Sequence, residues 1–334
     1  MKHVHHGKLT DLNAAIPDGV VDVLLCSASF EERCLSVPTS LNRDRVGLAI
    51  VAVNQTYWGA VKESTLKLES LFDGKHRRMT LDALDPIVTA DSIAQVVFSS
   101  LVGEPKRILL DITAFTRESL LILLAFLRAR MRPGDDLSFV YAHAKEYSVG
   151  DPPELKWLSK GVMEIRSVLA FPGVMVPSRR THMIILVGFE DDRALEIIRE
   201  SEPSFISLGV GDARDAGTEP HQTTNVHRFK KMRSILGPVQ EFVFQAYDPE
   251  LTVAAIRTQA AKFPDCNVVL APMNTKISTV GAAIFAFEDY SVQICYAPAL
   301  IYNVDNYSKP DQDYYLFKIP GFGFDADSPS PNQE

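Results

Sequence analysis

Val20-Val21-Asp22-Val23-Leu24-Leu25-Cys26-Ser27-Ala28-Ser29-Phe30-Glu31-Glu32 is the stretch from which the reading of the whole chain follows. Its first part is short, β-branched and bounded by turn residues, which predicts a buried strand. Ser27-Ala28-Ser29 is then a small-residue loop, and a helix is expected to begin near Phe30. The same order returns at a constant offset. Phe189-Glu190-Asp191 follows another apolar strand, 159 residues after Phe30-Glu31-Glu32, and Thr275-Lys276 stands 159 residues after Thr116-Arg117. Tyr147-Ser148 and Tyr307-Ser308 lie 160 apart, a drift of one residue. The chain therefore reads as two tandem Rossmann-like α/β units related by internal duplication. Their loop sets are expected to face each other across a pseudo-twofold axis, a geometry suited to a ligand held between the halves.

Outward from that stretch, strands are predicted at Val46–Val53, Arg107–Asp111 and Leu137–Ala142, with helices around 61–72, 91–102 and 116–130. Leu120, Leu123, Leu124 and Leu127 mark the core face of the last helix. In the second half, strands are expected at 183–187, 205–210, 267–271 and 292–296, and helices at 191–200 and 279–287. Apolar strands alternating with helices indicate mainly parallel sheets covered on both faces. The expected division is 1–150 for unit 1, a proline-rich connector over 151–181 with a strand-like piece at 164–171, unit 2 over 182–308, and a tail over 309–334 with a disordered end. Gly211–Asn225 reads as a surface loop.

The 334 residues, 46% hydrophobic, suffice for two filled cores. No apolar run is long enough to span a bilayer, and Met1-Lys2-His3-Val4-His5-His6 has no signal core, so a cytoplasmic protein without membrane contact is expected. A net charge of −8 argues against wrapping long nucleic acid but leaves room for a small anion held by a few local groups. Cys26, Cys34, Cys266 and Cys295 show no zinc or redox spacing and read as reduced packing residues. His3, His5 and His6 lie at an end expected to fray, and no closed ligand set appears, so no metal and no cofactor is expected.

Ligands of open parallel sheets bind beyond the carboxyl ends of the strands, where helix N-termini offer unpaired N–H groups. The repeated residues fall there. Ser27, Ser29, Glu31 and Arg33 follow the first strand of unit 1; Gly188, Glu190 and Arg193 hold that place in unit 2. Thr113, Thr116 and Arg117 match the segment Met273-Asn274-Thr275-Lys276 by position. A hydroxyl and a cation at a helix start can converge on one phosphate. The plainer reading is also open: Thr and Ser there are ordinary caps, Glu31 and Glu190 pair with Arg33 and Arg193 at the surface, and Phe30 and Phe189 are core wedges. Asp111, His143, Glu31 and Glu190 are the candidate acid–base groups, against which Asp111 reads as an aspartate ordering its own loop. No nucleophile elbow, P-loop or dinucleotide fingerprint is present.

Val268-Val269-Leu270-Ala271-Pro272-Met273-Asn274-Thr275-Lys276-Ile277-Ser278 resembles the strand, Gly-Thr-Lys turn and helix of CRISPR-associated Rossmann-fold (CARF) domains, with Asn274 in place of the glycine. Leu110-Asp111-Ile112-Thr113-Ala114-Phe115-Thr116-Arg117 departs further, with Phe115 and Arg117 where that motif has glycine and lysine. Two fused copies are similar to the SAVED sensors of antiphage systems. The resemblance implies a cyclic oligonucleotide or other small phosphorylated ligand, contacted by the loops named above, and a protein effector partner that carries the output. Phe115 would crowd a close backbone approach, so an asymmetric pocket is expected. Two other functions compete with the sensor: a ring-nuclease-like phosphodiesterase acting in the same cleft, and a ligand-free scaffold whose cleft is plugged by side chains.

Overall fold

The computed structural model describes residues 4–152, 155–212 and 219–322. It divides into two compact units, one of Met1–His143 with Gln312–Glu334 and one of Ala144–Asp311. In chain order the first contains β1 (Val4–Lys8), α1 (Leu12–Ala15), β2 (Val21–Ser27), α2 (Ser36–Ser40), β3 (Val46–Asn54), α3 (Trp58–Leu71) and β4 (His76–Leu81). It continues with α4 (Pro86–Ser100), β5 (Arg107–Asp111), α5 (Arg117–Arg130) and β6 (Asp136–Tyr147). The second contains β7 (Ser159–Lys160), β8 (Arg166–Pro172), β9 (Thr181–Val187), α6 (Asp191–Ser201), β10 (Phe205–Asp212) and α7 (Glu219–Leu236). After these come β11 (Gln240–Gln245), α8 (Pro249–Ala260), β12 (Asn267–Pro272), α9 (Lys276–Glu288), β13 (Gln293–Tyr296) and β14 (Ile301–Tyr302). The last strand, β15 (Ser308–Phe317), leads back to the first sheet, where it lies between β1 and β6. The C-terminal stretch read as a tail thus supplies a strand, and the disorder expected of its end concerns residues 323–334, outside the described residues.

Both units are α/β with mostly parallel sheets, and the duplication extends to their topology. The seven-stranded sheet runs β1-β15-β6-β5-β2-β3-β4, and the six-stranded sheet runs β11-β10-β9-β12-β13-β8. Numbered in chain order, the five parallel strands of each unit lie in the same order, 3-2-1-4-5, the doubly wound arrangement. β2, β5, β9 and β12 are the central strands. Nearly every residue in them is buried, which is why they read as continuous apolar runs rather than alternating ones. A second repeat went unread: Asp85-Pro86-Ile87-Val88-Thr89 and Asp248-Pro249-Glu250-Leu251-Thr252 start the helix after the third strand in each unit. Asp85 caps α4 by accepting from Ile87 N and Val88 N, and Asp248 caps α8 by accepting from Leu251 N, with proline in the first turn of each. Thr252 packs so closely on α9 that a Cβ on Gly281 would stand 2.8 Å from Pro249 O and 2.9 Å from Thr252 Cβ. Only glycine fits there.

Three local expectations are corrected. No full helix starts near Phe30: a 3-10 turn over Glu32–Leu35 leads into the short α2, where Pro38 has no N–H to bond the carbonyl four residues back. The loop expected at Gly211–Asn225 is helical from Glu219 onward, where α7 packs on β10; residues 213–218 lie outside the described residues. From Val4 onward the N-terminal segment is not frayed, since His5 and His6 are held in β1, antiparallel to β15, with His6 stacked on Tyr315 at 4.8 Å; His3 lies outside the described residues. Phe30 and Phe189 are half-buried. Cys26, Cys34 and Cys295 are buried and all four cysteines are free, with burial pushing the Cys34 and Cys295 thiols up to about 12.

His182, wholly buried in β9, meets Ser207 Oγ through Nε2 at 2.8 Å and packs edge-on against Phe263. Burial lowers it to about 4, from an ordinary value of 6.5. The unfolded chain therefore takes up a proton between pH 6.5 and 4 that the folded chain refuses, so stability falls as pH falls through that window. The full loss is about 3 kcal/mol. Denaturant unfolding of His182→Gln should show that much less acid sensitivity than the parent; equal slopes would mean that the imidazole charges without cost.

Candidate functional site

In a 3-2-1-4-5 sheet the crevice for a ligand opens where the chain order reverses, between the first and fourth strands. Those strands are β2 and β5 in unit 1, and β9 and β12 in unit 2. The loops after them contain the residues singled out from the sequence.

In unit 1, Ser29 Oγ accepts from Glu31 N at 3.1 Å, turning the chain so that Glu31 and Arg33 meet. Arg33 Nη2 and Nε donate to Glu31 Oε2 at 2.6 and 3.1 Å, and Nη1 donates to Ala142 O at 3.0 Å, while the guanidinium lies 5.7 Å from the Tyr141 ring centre. Arg33 and Glu31 are 2% and 7% exposed. Unit 2 repeats the arrangement. Arg193 Nη1 approaches Glu190 Oε1 to 2.8 Å, Nη2 donates to Ala297 O, and the guanidinium lies 5.8 Å from the Tyr296 ring centre. Ser159 adds a bridge, its hydroxyl donating to Glu190 and accepting from Arg193 Nη1. Burial pushes the Arg193 guanidinium down, but the Glu190 carboxylate together with Tyr296, Tyr302 and Tyr307 outweighs it and holds the group above its ordinary value.

The expectation of surface ion pairs is therefore corrected. Each pair is a buried clamp that ties the loop after the first strand to the fifth strand or the residue just past it. Its far anchor was missed, although Tyr141-Ala142, midway along β6, and Tyr296-Ala297, at the end of β13, repeat on the fifth strands of the two units.

Asp111, 2% exposed at the end of β5, accepts from Thr113 N at 3.0 Å and from the Thr113 hydroxyl, whose Oγ1 accepts in turn from Ala142 N at 2.9 Å. It orders its own loop, as the plainer reading had it. Burial raises the carboxyl to about 7 against the opposing pull of Thr113 and of the Arg33 charge. Ser27 and His143 are also buried. Phe115, expected to crowd the loop, is wholly buried in the core instead.

The two crevices differ. In unit 1 the central strands part after the Leu25–Leu110 pairing: Ala28 N turns to Ala52 O of β3 at 2.8 Å, and Ile112 N turns to Val140 O of β6 at 2.9 Å. In unit 2 they stay joined. β12 follows β9 to the Pro272–Leu186 pairing, Met273 N donates to Leu186 O, and the Asn274 amide donates to Val187 O at 2.5 Å. A Cβ on Gly188 would fall 2.1 Å from Met273 O, so glycine there permits the seal.

At the rims stand Thr116 and Thr275, the caps of α5 and α9, accepting from Ser119 N at 3.1 Å and Ser278 N at 3.0 Å. Arg117 and Lys276 follow in the first turn. All four are half-buried, whereas Ser27, Ser29, Glu31, Arg33, Thr113, Gly188, Glu190, Arg193 and Asn274 are buried. A groove of about 550 Å³ between α2 and α3, lined by Leu35, Thr39, Leu66 and Lys67 among others, contains none of the predicted residues. Among the described residues no group of three or more His, Cys, Asp or Glu side chains could hold a metal ion, and no helix is long and apolar enough to cross a membrane. Compared with models of protein families and with curated proteins, the chain matches none.

Proposed function

We propose that the chain is a nucleotide-sensing regulatory module of the kind used in antiphage defence. It binds a small phosphorylated ligand, such as a cyclic oligonucleotide, at the carboxyl edge of a parallel sheet and signals through a protein partner. The observation that carries this reading is the matched helix start: a capping threonine followed by a half-buried cation, Thr116-Arg117 and Thr275-Lys276, after the fourth strand of both units. A cation in the first turn opposes the positive end of the helix dipole, and an anion bound there compensates it. The carboxylates favour binding over phosphodiester cleavage, because Glu31 and Glu190 are engaged by buried arginines and Asp111 by its own loop. With the unit 2 crevice sealed, ligand contact belongs to unit 1 and to Arg117.

Thermal unfolding against a panel of linear and cyclic oligonucleotides tests this. A ligand at a hundredfold excess over its Kd should stabilise the protein by about 2.7 kcal/mol without forming products. Arg117→Ala should abolish the shift, and Lys276→Ala should leave most of it. Product formation would instead support the phosphodiesterase. The burial of Ser27, Glu31, Arg33 and Asp111 favours a second reading, a scaffold with a plugged crevice. That reading predicts no shift with any member of the panel.

A further inference from the structure

Helix α4 is apolar on two faces. Thr89, Ala90, Ile93 and Val97 are buried, yet Ile87, Phe98 and Val102, just beyond its end, are 61%, 37% and 53% exposed. Val88 and, before the helix, Leu84 are exposed as well. A surface helix of a monomer turns polar residues outward, and large apolar side chains exposed together along one side of it mark an association surface. Ile87, Asp91, Gln95, Phe98 and Val102 follow helical spacing along one side, over about 22 Å. The stripe carries one acid, Asp91; of the two bases beside α4, Arg77 is held by Ser99 and Ser100, and Arg130 lies at Phe98. Asp91 is exposed and enters no hydrogen bond or ion pair among the described residues. Arg130 reaches over from α5 with its guanidinium 5.7 Å from the Phe98 ring centre, and its Nε is buried without a hydrogen-bond partner. Its Nη2 makes only a long contact, 3.5 Å, to Leu101 O.

We infer that this stripe is a homodimer interface, with α4 of a second copy of the chain packed antiparallel on it about a twofold axis passing between Ala94 and Gln95. Antiparallel pairing brings together positions equidistant from the axis. Ile87 then meets the partner's Val102, and Asp91 meets the partner's Phe98 and with it the partner's Arg130. The twofold axis makes each such contact twice, so the stripe is complementary to itself in both apolarity and charge. Ala94 at the crossing lets the helices approach to the ordinary packing distance. This inference is independent of whether the chain binds a nucleotide.

Light scattering and sedimentation of the full chain give the test. The expected mass is twice the 37.1 kDa of one chain. Phe98→Glu should return the single-chain mass with an unchanged far-UV spectrum. Asp91→Arg and Arg130→Asp should each weaken dimerisation about tenfold or more, and the two combined in one chain should restore it. Gln95→Cys should cross-link to a disulfide-bonded dimer under mild oxidation. A parent protein of single-chain mass overturns the inference, as does a dimer that ignores Phe98→Glu or a charge exchange that fails to restore association.

Discussion

Arg33→Ala is expected to destabilise unit 1 by about 3–5 kcal/mol, the usual cost of leaving one member of a buried ion pair behind. Glu31 would stay shut in without its partner, the Ala142 carbonyl would lose the Arg33 donor, and the loop after β2 would lose its tie to β6. Because two units can unfold separately, hydrogen exchange in peptides of unit 1 reads the loss most directly. Arg193→Ala should act in the same way on unit 2, where Glu190 and Ser159 would be left together. Replacing Glu31 and Arg33 together by leucine should recover at least half of the loss, since burying a pair and burying apolar side chains of similar size cost much the same. A loss below 1 kcal/mol for Arg33→Ala would mean that water reaches Glu31 and that the clamp is not closed in solution.

Asp111→Asn should show the other large effect, as a function of pH. The folded carboxyl titrates at about 7, well above its ordinary 3.8. Between those values the folded chain holds a proton that the unfolded chain has released, so the parent loses stability as pH rises through the window and carries the whole deficit above pH 7. The deficit amounts to about 4 kcal/mol. An amide does not titrate, so the stability difference between variant and parent should move in favour of the variant by that amount between pH 4 and pH 8. A difference independent of pH would show that Asp111 ionises normally. Arg33 and Asp111 interact electrostatically, so the two substitutions should not be additive: without Arg33 the carboxyl should titrate higher still.

Several parts of this fold were legible in the residues because they depend on neighbours in the chain. Val21–Ser27, Arg107–Asp111 and Thr181–Val187 announce themselves as central strands because a strand buried on both faces has no polar alternation to conceal. Thr116 and Thr275 cap their helices through hydrogen bonds to N–H groups three residues on, a contact that any chain with that spacing can make. The helix of Glu219–Leu236 was not legible, because its start is rich in Thr, Asn and His, residues of modest helix propensity that packing on β10 overrides.

The candidate site divides along the same line. That the loops after the first and fourth strands of both units matter follows from the 159-residue repeat, and so does the nearness of Glu31 to Arg33 and of Glu190 to Arg193. Whether those pairs stand in water or under the protein surface depends on Ala142 and Ala297, which lie 109 and 104 residues from the arginines that hold them. Those anchors come within reach only because the strand order 3-2-1-4-5 sets the fifth strand beside the fourth. The sealing of one crevice and the parting of the other rest likewise on which strand each loop follows after the last paired residue. Local preference governs contacts a few residues apart, whereas burial and hydrogen-bond partners across a sheet are set by topology and packing. For that reason the same Glu-Arg spacing, read as a surface pair, closes as a buried clamp.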